Sequence, residues 1–368
     1  MKVSISMLAY NQEPYIEQAV RSALAQRTTF DYEIVVGEDC STDRTLEILQ
    51  RLQEQYPDKI RLLPSERNLG MIENSIRSFL ACDGEYIALL DGDDYWCAED
   101  KLQQQVEFLD QHPDFSIVFH SVLRVDEDNS QQPKLVRPDR GQAVFELADL
   151  IRSNFIPTCS AVMRNGLIDE FPSWSYSLRM LDWLTFILAA KHGKIGFIDD
   201  VMAVYRIHSQ GVWSSMGSIN RLVASIDLFE KITPDLGDAY TKQIRSSLDK
   251  HWRKLMDELY DFAIIQGSQG AARDQINKIS AALENLQSIP AGWRRELWER
   301  IYCYYLMTNF ESQDYPAAWS AWLSLMKNDP SLLLNRGLFL IGMQSAFNGR
   351  WRAQIQRLTR SYRSKQNL

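Results

Sequence analysis

The residues best suited to chemistry are clustered in Asp91-Gly92-Asp93-Asp94, directly after the apolar run Tyr86-Ile87-Ala88-Leu89-Leu90. Carboxylates this close resist ionising together unless a cation or hydrogen-bond donors compensate them. Mg²⁺ and Mn²⁺ are natural complements, each typically held by one or two carboxylates plus phosphate oxygens. On its own the stretch reads equally as a metal–phosphate site at a strand end or as a solvated turn with a helix cap. Asp182 stands almost alone in the apolar segment Leu178–Ala190. It is either a first-turn acid favoured by the helix dipole or a general base whose pKa is raised by apolar surroundings, and the local sequence favours the first. His208, in Tyr205-Arg206-Ile207-His208, reads first as a structural histidine.

The elements that would position these residues alternate strictly. Val3, Ile5 and Met7 alternate with Ser4 and Ser6, which is a strand; Tyr15, Ala19, Val20, Ala23 and Leu24 then recur at helical spacing, with Asn11 as candidate N-cap and Pro14 in the first turn. Strand Glu33–Gly37 runs into the turn Glu38-Asp39-Cys40-Ser41-Thr42-Asp43, whose Ser and Thr are capping candidates for a helix with Leu46, Leu49, Leu52 and Tyr56 on one face. Strand Ile60–Leu63, the loop Arg67-Asn68-Leu69-Gly70 and a helix through Ile72, Ile76 and Phe79 complete the pattern before Tyr86. Such alternation predicts right-handed crossovers and a largely parallel sheet covered on both faces, with ligands beyond the carboxyl ends of the strands. Those ends carry Asn11 and Glu13, then Asp39, then Arg67 and Asn68, then Asp91 and Asp93. Four polar loops converging on one edge turn the balance toward a site. No GxxxxGK[ST] or GxGxxG loop is present, so the positive charge must come from a metal, from Arg67, or from both.

Further along, the sequence predicts a helix over 99–111 and a strand over 114–120. Residues 126–143 read equally as a mobile loop over the sheet or a surface excursion. A short helix over 145–152, a strand over 156–164, a helix over 178–190 capped by Gly193, and a hairpin-like pair of strands at 195–198 and 201–206 follow. Beyond Met216 only helical patterns remain, at 219–232, 241–266, 271–286, 293–310 and 315–327. The expected division is an α/β domain over 1–215, a helical domain over 216–330, and a final segment over 331–368. In that segment Leu332–Leu334 and Leu338–Ile341 precede Arg350, Arg352, Arg357, Arg360, Arg363 and Lys365, a pattern that can lie on an anionic membrane surface or be a last helix with a solvated tail.

Totals bound the class. The chain has 368 residues, enough for about two domains, and a net charge of −8 argues against nucleic acid as partner. Five cysteines without a CxxC pair read as reduced thiols of a cytoplasmic protein. The N-terminus has no apolar signal region, and no run reaches the length of a membrane span.

Set side by side, these motifs resemble those of the family 2 glycosyltransferases with a GT-A fold, over residues 1–212. Ser6–Glu13 resembles the family's opening strand and nucleotide loop. Glu38–Asp43 resembles its DDGSTD segment, with Glu for the first Asp and Cys for Gly. Arg67-Asn68-Leu69-Gly70 resembles its RNxG loop, Asp91-Gly92-Asp93 its DxD motif, Leu181-Asp182-Trp183 its catalytic-Asp segment and Tyr205–His208 the segment whose His can complete the metal site. The resemblance implies a GT-A fold, a UDP- or dTDP-sugar donor and transfer with inversion. It also implies that Ala9, Tyr10, Asn11 and Glu13 lie near the nucleotide, Asp39 accepts from the base imide, and Arg67, Asn68 and Gly70 lie near the base and phosphates. Asp93, Asp91 and His208 would hold Mn²⁺ or Mg²⁺, and Asp182 would be the base. The acceptor would be a saccharide hydroxyl, lipid-linked included, in surface glycan assembly, with the enzyme peripheral at the inner face of the membrane. Cys40 departs from the pattern, so the backbone there is expected to differ slightly. Thr158 and Ser160 are candidates for the sugar or acceptor side. Two other readings stay open: a metal-dependent sugar nucleotidyltransferase, and a non-catalytic scaffold working through its helices.

Overall fold

The computed structural model describes residues 1–127, 132–138, 141–265, 286, 288, 290, 292–331 and 338–346. The chain divides into two compact units, Met1–Asp249 and Lys250–Leu368.

The first unit opens with β1 (Val3–Ala9), α1 (Ile16–Leu24), β2 (Tyr32–Glu38), α2 (Thr45–Gln55), β3 (Ile60–Pro64), α3 (Met71–Leu80) and β4 (Tyr86–Asp91). It continues through β5 (Tyr95–Trp96), α4 (Lys101–Gln111), β6 (Phe115–Asp126), β7 (Lys134–Val136), β8 (Val144–Phe145), α5 (Leu147–Arg152), β9 (Val162–Arg164), α6 (Asp182–Ala190), β10 (Lys194–Ile207), α7 (Val212–Ser215) and α8 (Ser218–Leu236). The strands form one sheet of order β3-β2-β1-β4-β9-β6-β10-β5, with β7 on β6 and β8 on β10. β3, β2, β1 and β4 are parallel, as are β6 and β10, while β9 runs antiparallel between β4 and β6.

Strand alternation sends side chains to two cores. Ile34 and Val36 of β2 and Ala88 and Leu90 of β4 pack with Ile16, Leu49, Leu52, Leu102 and Val106 of α1, α2 and α4. Val35, Ile87 and Leu89 face the other way, against Ile76, Leu150, Leu184, Ile187, Leu228 and Ile232 of α3, α5, α6 and α8. With both faces covered, the central strands read as apolar runs. Each fully buried Leu, Ile or Phe contributes about 1.5–3 kcal/mol relative to exposure.

The structure corrects several local expectations. Residues 195–206 are not a hairpin-like pair but part of β10, which lies parallel to β6; bulges at Asp199 and Asp200 absorb the polar pair that reads as a turn. The Asp199 carboxylate accepts from Ser121 Oγ (3.0 Å) and Arg137 Nη1 (2.7 and 2.8 Å), so the strand continues across it. Thr158–Ser160 is a 3₁₀ turn closed by Ser160 N donating to Pro157 O (3.0 Å), leaving only Val162–Arg164 as strand. The stretch 126–143 contributes β7 to the sheet. Helix α6 starts at Asp182, not Leu178, and ends at Ala190 with Lys191 as its C-cap. Gly193 is not its cap; a Cβ there would lie 2.8 Å from Asp114 O, so glycine permits the close approach to β6. Tyr56 is exposed rather than on the buried face of α2.

In the second unit Trp252, Leu255 and Leu259 of α9 (Thr241–Ile265) are buried, and α10 (Trp293–Glu311) packs with α11 (Tyr315–Asn328) through Leu297, Ile301, Leu306, Ala318, Ala321 and Leu325. Asp314 caps α11 by accepting from Ala317 N (3.2 Å), with Pro316 in the first turn. The predicted helix over 271–286 and the apolar and basic stretches at 332–334 and 350–365 fall on or largely on residues outside those described. No described helix is long and apolar enough to cross a membrane.

Candidate active site

Parallel register brings the strand ends into line. Ala9 of β1 pairs with Glu38 of β2, and Leu8 pairs with Asp91 of β4, so the three loops leave the same edge. The β1–α1 and β2–α2 loops are laced together. Asn11 N donates to Ser41 Oγ (3.0 Å), Gln12 N to Thr45 Oγ1 (2.8 Å) and Glu13 N to Asp43 Oδ2 (3.0 Å), while Asn11 Oδ1 accepts from Thr42 N (2.8 Å). Asn11 is therefore not a helix cap. It sits at φ +50°, a left-handed conformation that asparagine tolerates, and α1 begins without a side-chain cap. Ser41, Thr42 and Asp43 likewise serve the neighbouring loop. Glu13 is engaged by Arg44, whose Nε donates to it at 2.8 Å.

Asp39 is buried, and its two oxygens accept from Leu69 N (2.7 Å) and Gly70 N (3.0 Å). It thus fixes the β3–α3 loop as well as lining the cleft. Cys40 occupies φ +60°, the left-handed conformation that glycine takes freely, held by the buried Glu38 carboxylate accepting from Cys40 N and Ser41 N.

In the acidic turn Gly92 is required sterically: a Cβ there would lie 2.3 Å from Gln12 Oε1, 2.7 Å from Ile16 Cδ1 and 2.8 Å from Leu8 O. Gly92→Ala is expected to cost about 1–3 kcal/mol, the usual penalty for overpacking, read by urea denaturation; a change under about 0.5 kcal/mol would mean the turn relaxes freely. The three acids of the turn have different fates. Burial, then the Asp93 and Asp182 carboxylates, push Asp91 up to about 7. Asp93 Oδ2 lies 3.0 Å from His208 Nε2. Asp94 is buried and accepts from Arg206 N (2.9 Å), tying the turn to β10 rather than capping α4. Arg206 donates to Asp93 O (2.7 Å) and to Gln18, with its guanidinium between the rings of Tyr15 and Tyr95. His208 is buried with its ring 4.8 Å from that of Tyr15, whose hydroxyl donates to Glu127.

Asp182 opens α6 from the opposite core. Burial raises its pKa, an effect the Trp183 N–H and the Asn154 amide oppose. Asn154 Nδ2 donates to Asp182 Oδ2 (3.0 Å).

These groups line one cleft of about 1380 Å³: Ala9, Tyr10, Asn11, Glu13, Asp39, Asn68, Gly70, Asp91, Asp93, Asp182 and His208 all contribute to its wall. Arg67 does not; its side chain is exposed outside the wall, and the cations that line the cleft are Arg124, Arg179, Arg206 and Arg221. Thr158 lines it too, whereas Ser160 is buried and donates to Pro157 O (2.6 Å). Sequence reasoning missed Asn154, Tyr15 and the four arginines. Arg206 stands in the Tyr205–His208 segment, where His208 drew the attention; the others stand in no dense motif, so only folding reveals them.

The sequence profile of Glycosyl transferase family 2 matches residues 4–171. The dTDP-rhamnosyl transferase RfbG of Shigella flexneri is 36% identical over 271 residues, covering 69% of this chain and 86% of that protein. The putative teichuronic acid biosynthesis glycosyltransferase TuaG of Bacillus subtilis is 35% identical over 219 residues, covering 58% and 82%. Mycobacterial relatives match at 36% over 214 residues, or 58% of this chain, and the chain spans 61% of their length. Among solved structures, S. aureus TarS residues 1–349 in complex with UDP-GlcNAc aligns with a TM-score of 0.58 at 18% identity, covering 90% of this chain and 92% of that one, a likeness of fold. The chain belongs to Glycosyl transferase family 2, and its fold is GT-A with a helical C-terminal region.

Proposed function

We propose that the chain is an inverting glycosyltransferase that moves a sugar from a UDP- or dTDP-sugar to a saccharide hydroxyl in surface glycan assembly. The observation that carries this reading is the convergence of the strand-end loops, the Asp93–His208 pair and Asp182 on one cleft. Family membership supports the reaction class, and the names of RfbG and TuaG support a dTDP-type donor and a glycan product. In this reading the first unit, which runs past the expected boundary at 215 to Asp249, carries the transfer, Ala9, Tyr10, Asn11 and Asn68 surround the nucleotide, and Asp39 meets the base imide with the lone pairs its loop contacts leave free.

The donor set fits a hard divalent cation shared with the substrate. No group of three or more His, Cys, Asp or Glu among the described residues could hold a metal alone. Asp93 and His208, with Asp91 beside them, supply the few protein ligands that Mn²⁺ or Mg²⁺ takes when phosphate oxygens supply the rest. When bound, such a cation neutralises charge developing on the leaving nucleotide diphosphate. The chain's own residues do the remainder. Gly92 lets the turn pack against β1, Asp94 and Arg206 lock it to β10, and Tyr15 backs the His208 ring. Asp182, oriented by Asn154, takes the proton from the acceptor hydroxyl as that oxygen attacks the anomeric carbon opposite the leaving group.

Transfer from a panel of UDP-, dTDP- and GDP-sugars to saccharide acceptors, with and without Mn²⁺, tests the reading; release of diphosphate from a nucleoside triphosphate and a sugar phosphate instead would replace it with nucleotidyl transfer. The pH profile is a second measurement. A base must be deprotonated, and the pKa of Asp182 is raised. The acid limb of kcat/KM is therefore expected above the ordinary carboxylate value of about 4. A rate flat down to that value would remove Asp182 from the role.

A further inference from the structure

The cleft contains more cationic apparatus than the donor reading uses. Arg221 is held from behind: its Nε donates to Met216 O (2.6 Å) and its guanidinium lies 5.7 Å from the Trp213 ring, leaving its outer nitrogens uncommitted. Arg179, three residues before Asp182, is exposed and lines both the main cleft and an adjoining groove of about 410 Å³. Neither guanidinium has a carboxylate partner among the described residues, although Asp39, Asp43, Asp91 and Asp93 line the same cleft.

The elements carrying these arginines are packed as one wall with Asp182. Trp183, beside Asp182 on α6, meets Phe229 of α8 edge-to-face at 5.0 Å, and Lys231 of α8 donates to Ser177 Oγ (2.9 Å) in the 3₁₀ turn Ser173–Ser177 that leads to Arg179. A general base faces the acceptor hydroxyl, so the wall that carries Asp182 is the acceptor side. The adjoining groove supplies an apolar floor: Tyr176 and Val212 are 54% and 55% exposed there, suited to the flat face of a sugar ring.

We propose that this wall is an acceptor subsite for a saccharide bearing an oxyanion, a phosphate or a carboxylate, with Arg179 and Arg221 as its cations. A guanidinium fork matches both groups bidentately, and an anchored fork loses less freedom on binding than a free one. The inference rests on Asp182 marking the acceptor side. It adds a chemical class of acceptor that neither the transfer reaction nor the family implies.

Saturation-transfer NMR with methyl glucoside, methyl glucuronide and glucose 6-phosphate tests it, each recorded with and without UDP and Mn²⁺. The two charged sugars share the ring of the neutral one and separate carboxylate from phosphate; the stronger binder identifies the oxyanion. At least one is expected to bind about tenfold more tightly than the glucoside, the scale of a hydrogen-bonded ion contact. Arg179→Gln and Arg221→Gln are each expected to remove most of that preference while calorimetric affinity for UDP with Mn²⁺ stays within about twofold. Arg221→Lys, which keeps the charge and loses the fork, falls between. Equal binding of all three sugars, or a charged-sugar preference that survives both Gln variants, overturns the proposal. Loss of UDP affinity in the Gln variants also overturns it and assigns the arginines to the donor. Failure of the base assignment shows separately, as transfer that survives loss of the Asp182 carboxylate.

Discussion

Asp182→Asn is expected to lower kcat by roughly 10²–10⁴-fold, the usual contribution of a positioned acid or base, while the affinity for UDP with Mn²⁺ stays near wild type. The substitution keeps size and planarity, so packing at the start of α6 is preserved. It removes the group that can accept a proton. Asp182 reaches the cleft from the core formed by α5, α6 and α8, whereas the loops proposed to hold the nucleotide hang from β1, β2, β3 and β4, so the two functions are separable. The Asn154 amide that donates to Asp182 Oδ2 can still donate to the oxygen of the new amide. Single-turnover transfer and calorimetry on the same preparation provide the test. Near wild-type turnover would mean that the acceptor proton leaves by another route. A parallel fall in nucleotide affinity would mean that Asp182 serves the donor.

Asp93→Ala is the second large effect, with the opposite signature. Metal-dependent nucleotide affinity is expected to fall by roughly 10²-fold, about 2.7 kcal/mol, with little change in affinity measured without metal. Asp93 Oδ2 and His208 Nε2 lie 3.0 Å apart, so one cation can take both. His208→Ala should reproduce the loss in part, since Asp93 remains. Wild-type nucleotide affinity that does not depend on Mn²⁺ or Mg²⁺ would refute the shared role of the pair. Asp94→Asn should behave differently again. Asp94 is buried and accepts from Arg206 N, so its loss is read first in stability.

Much of this was legible before folding. The alternation of apolar strands and amphipathic helices up to Asp91 forces a parallel sheet, and a parallel sheet forces the strand-end loops onto one edge. That is why Asn11, Asp39 and Asp93 could be named together from spacing alone. What each of them does there was less legible. Asn11 is read as a helix cap from its position before Pro14, yet its side chain closes the neighbouring loop through Thr42. Arg67 sits in a recognisable motif, yet its side chain is outside the cleft wall, and Asn68 and Gly70 take that place. The error has one source: a motif fixes where the backbone goes, while a side chain's direction follows from contacts made after the sheet is assembled.

The later half of the first unit shows the same limit at the level of elements. Asp199-Asp200 reads as a turn because two carboxylates interrupt an apolar pattern. Only the presence of Ser121 and Arg137 on neighbouring parts of the sheet lets β10 carry Asp199 through a bulge. Strand β9 keeps only the last three residues of the strand predicted over 156–164, because pairing with β4 and β6 on either side begins only past the 3₁₀ turn Thr158–Ser160.

The sequence by itself determined the class of fold, the edge on which the strand-end loops converge, and the acidic turn Asp91-Gly92-Asp93-Asp94 among them, because local periodicity and turn chemistry are written in neighbouring residues. Tertiary structure alone decided the partners. It set His208 against Asp93 and Asn154 against Asp182, and it placed Arg179 and Arg221 on the wall beside Asp182, because contacts between residues far apart in the chain exist only once the two cores have packed around the sheet.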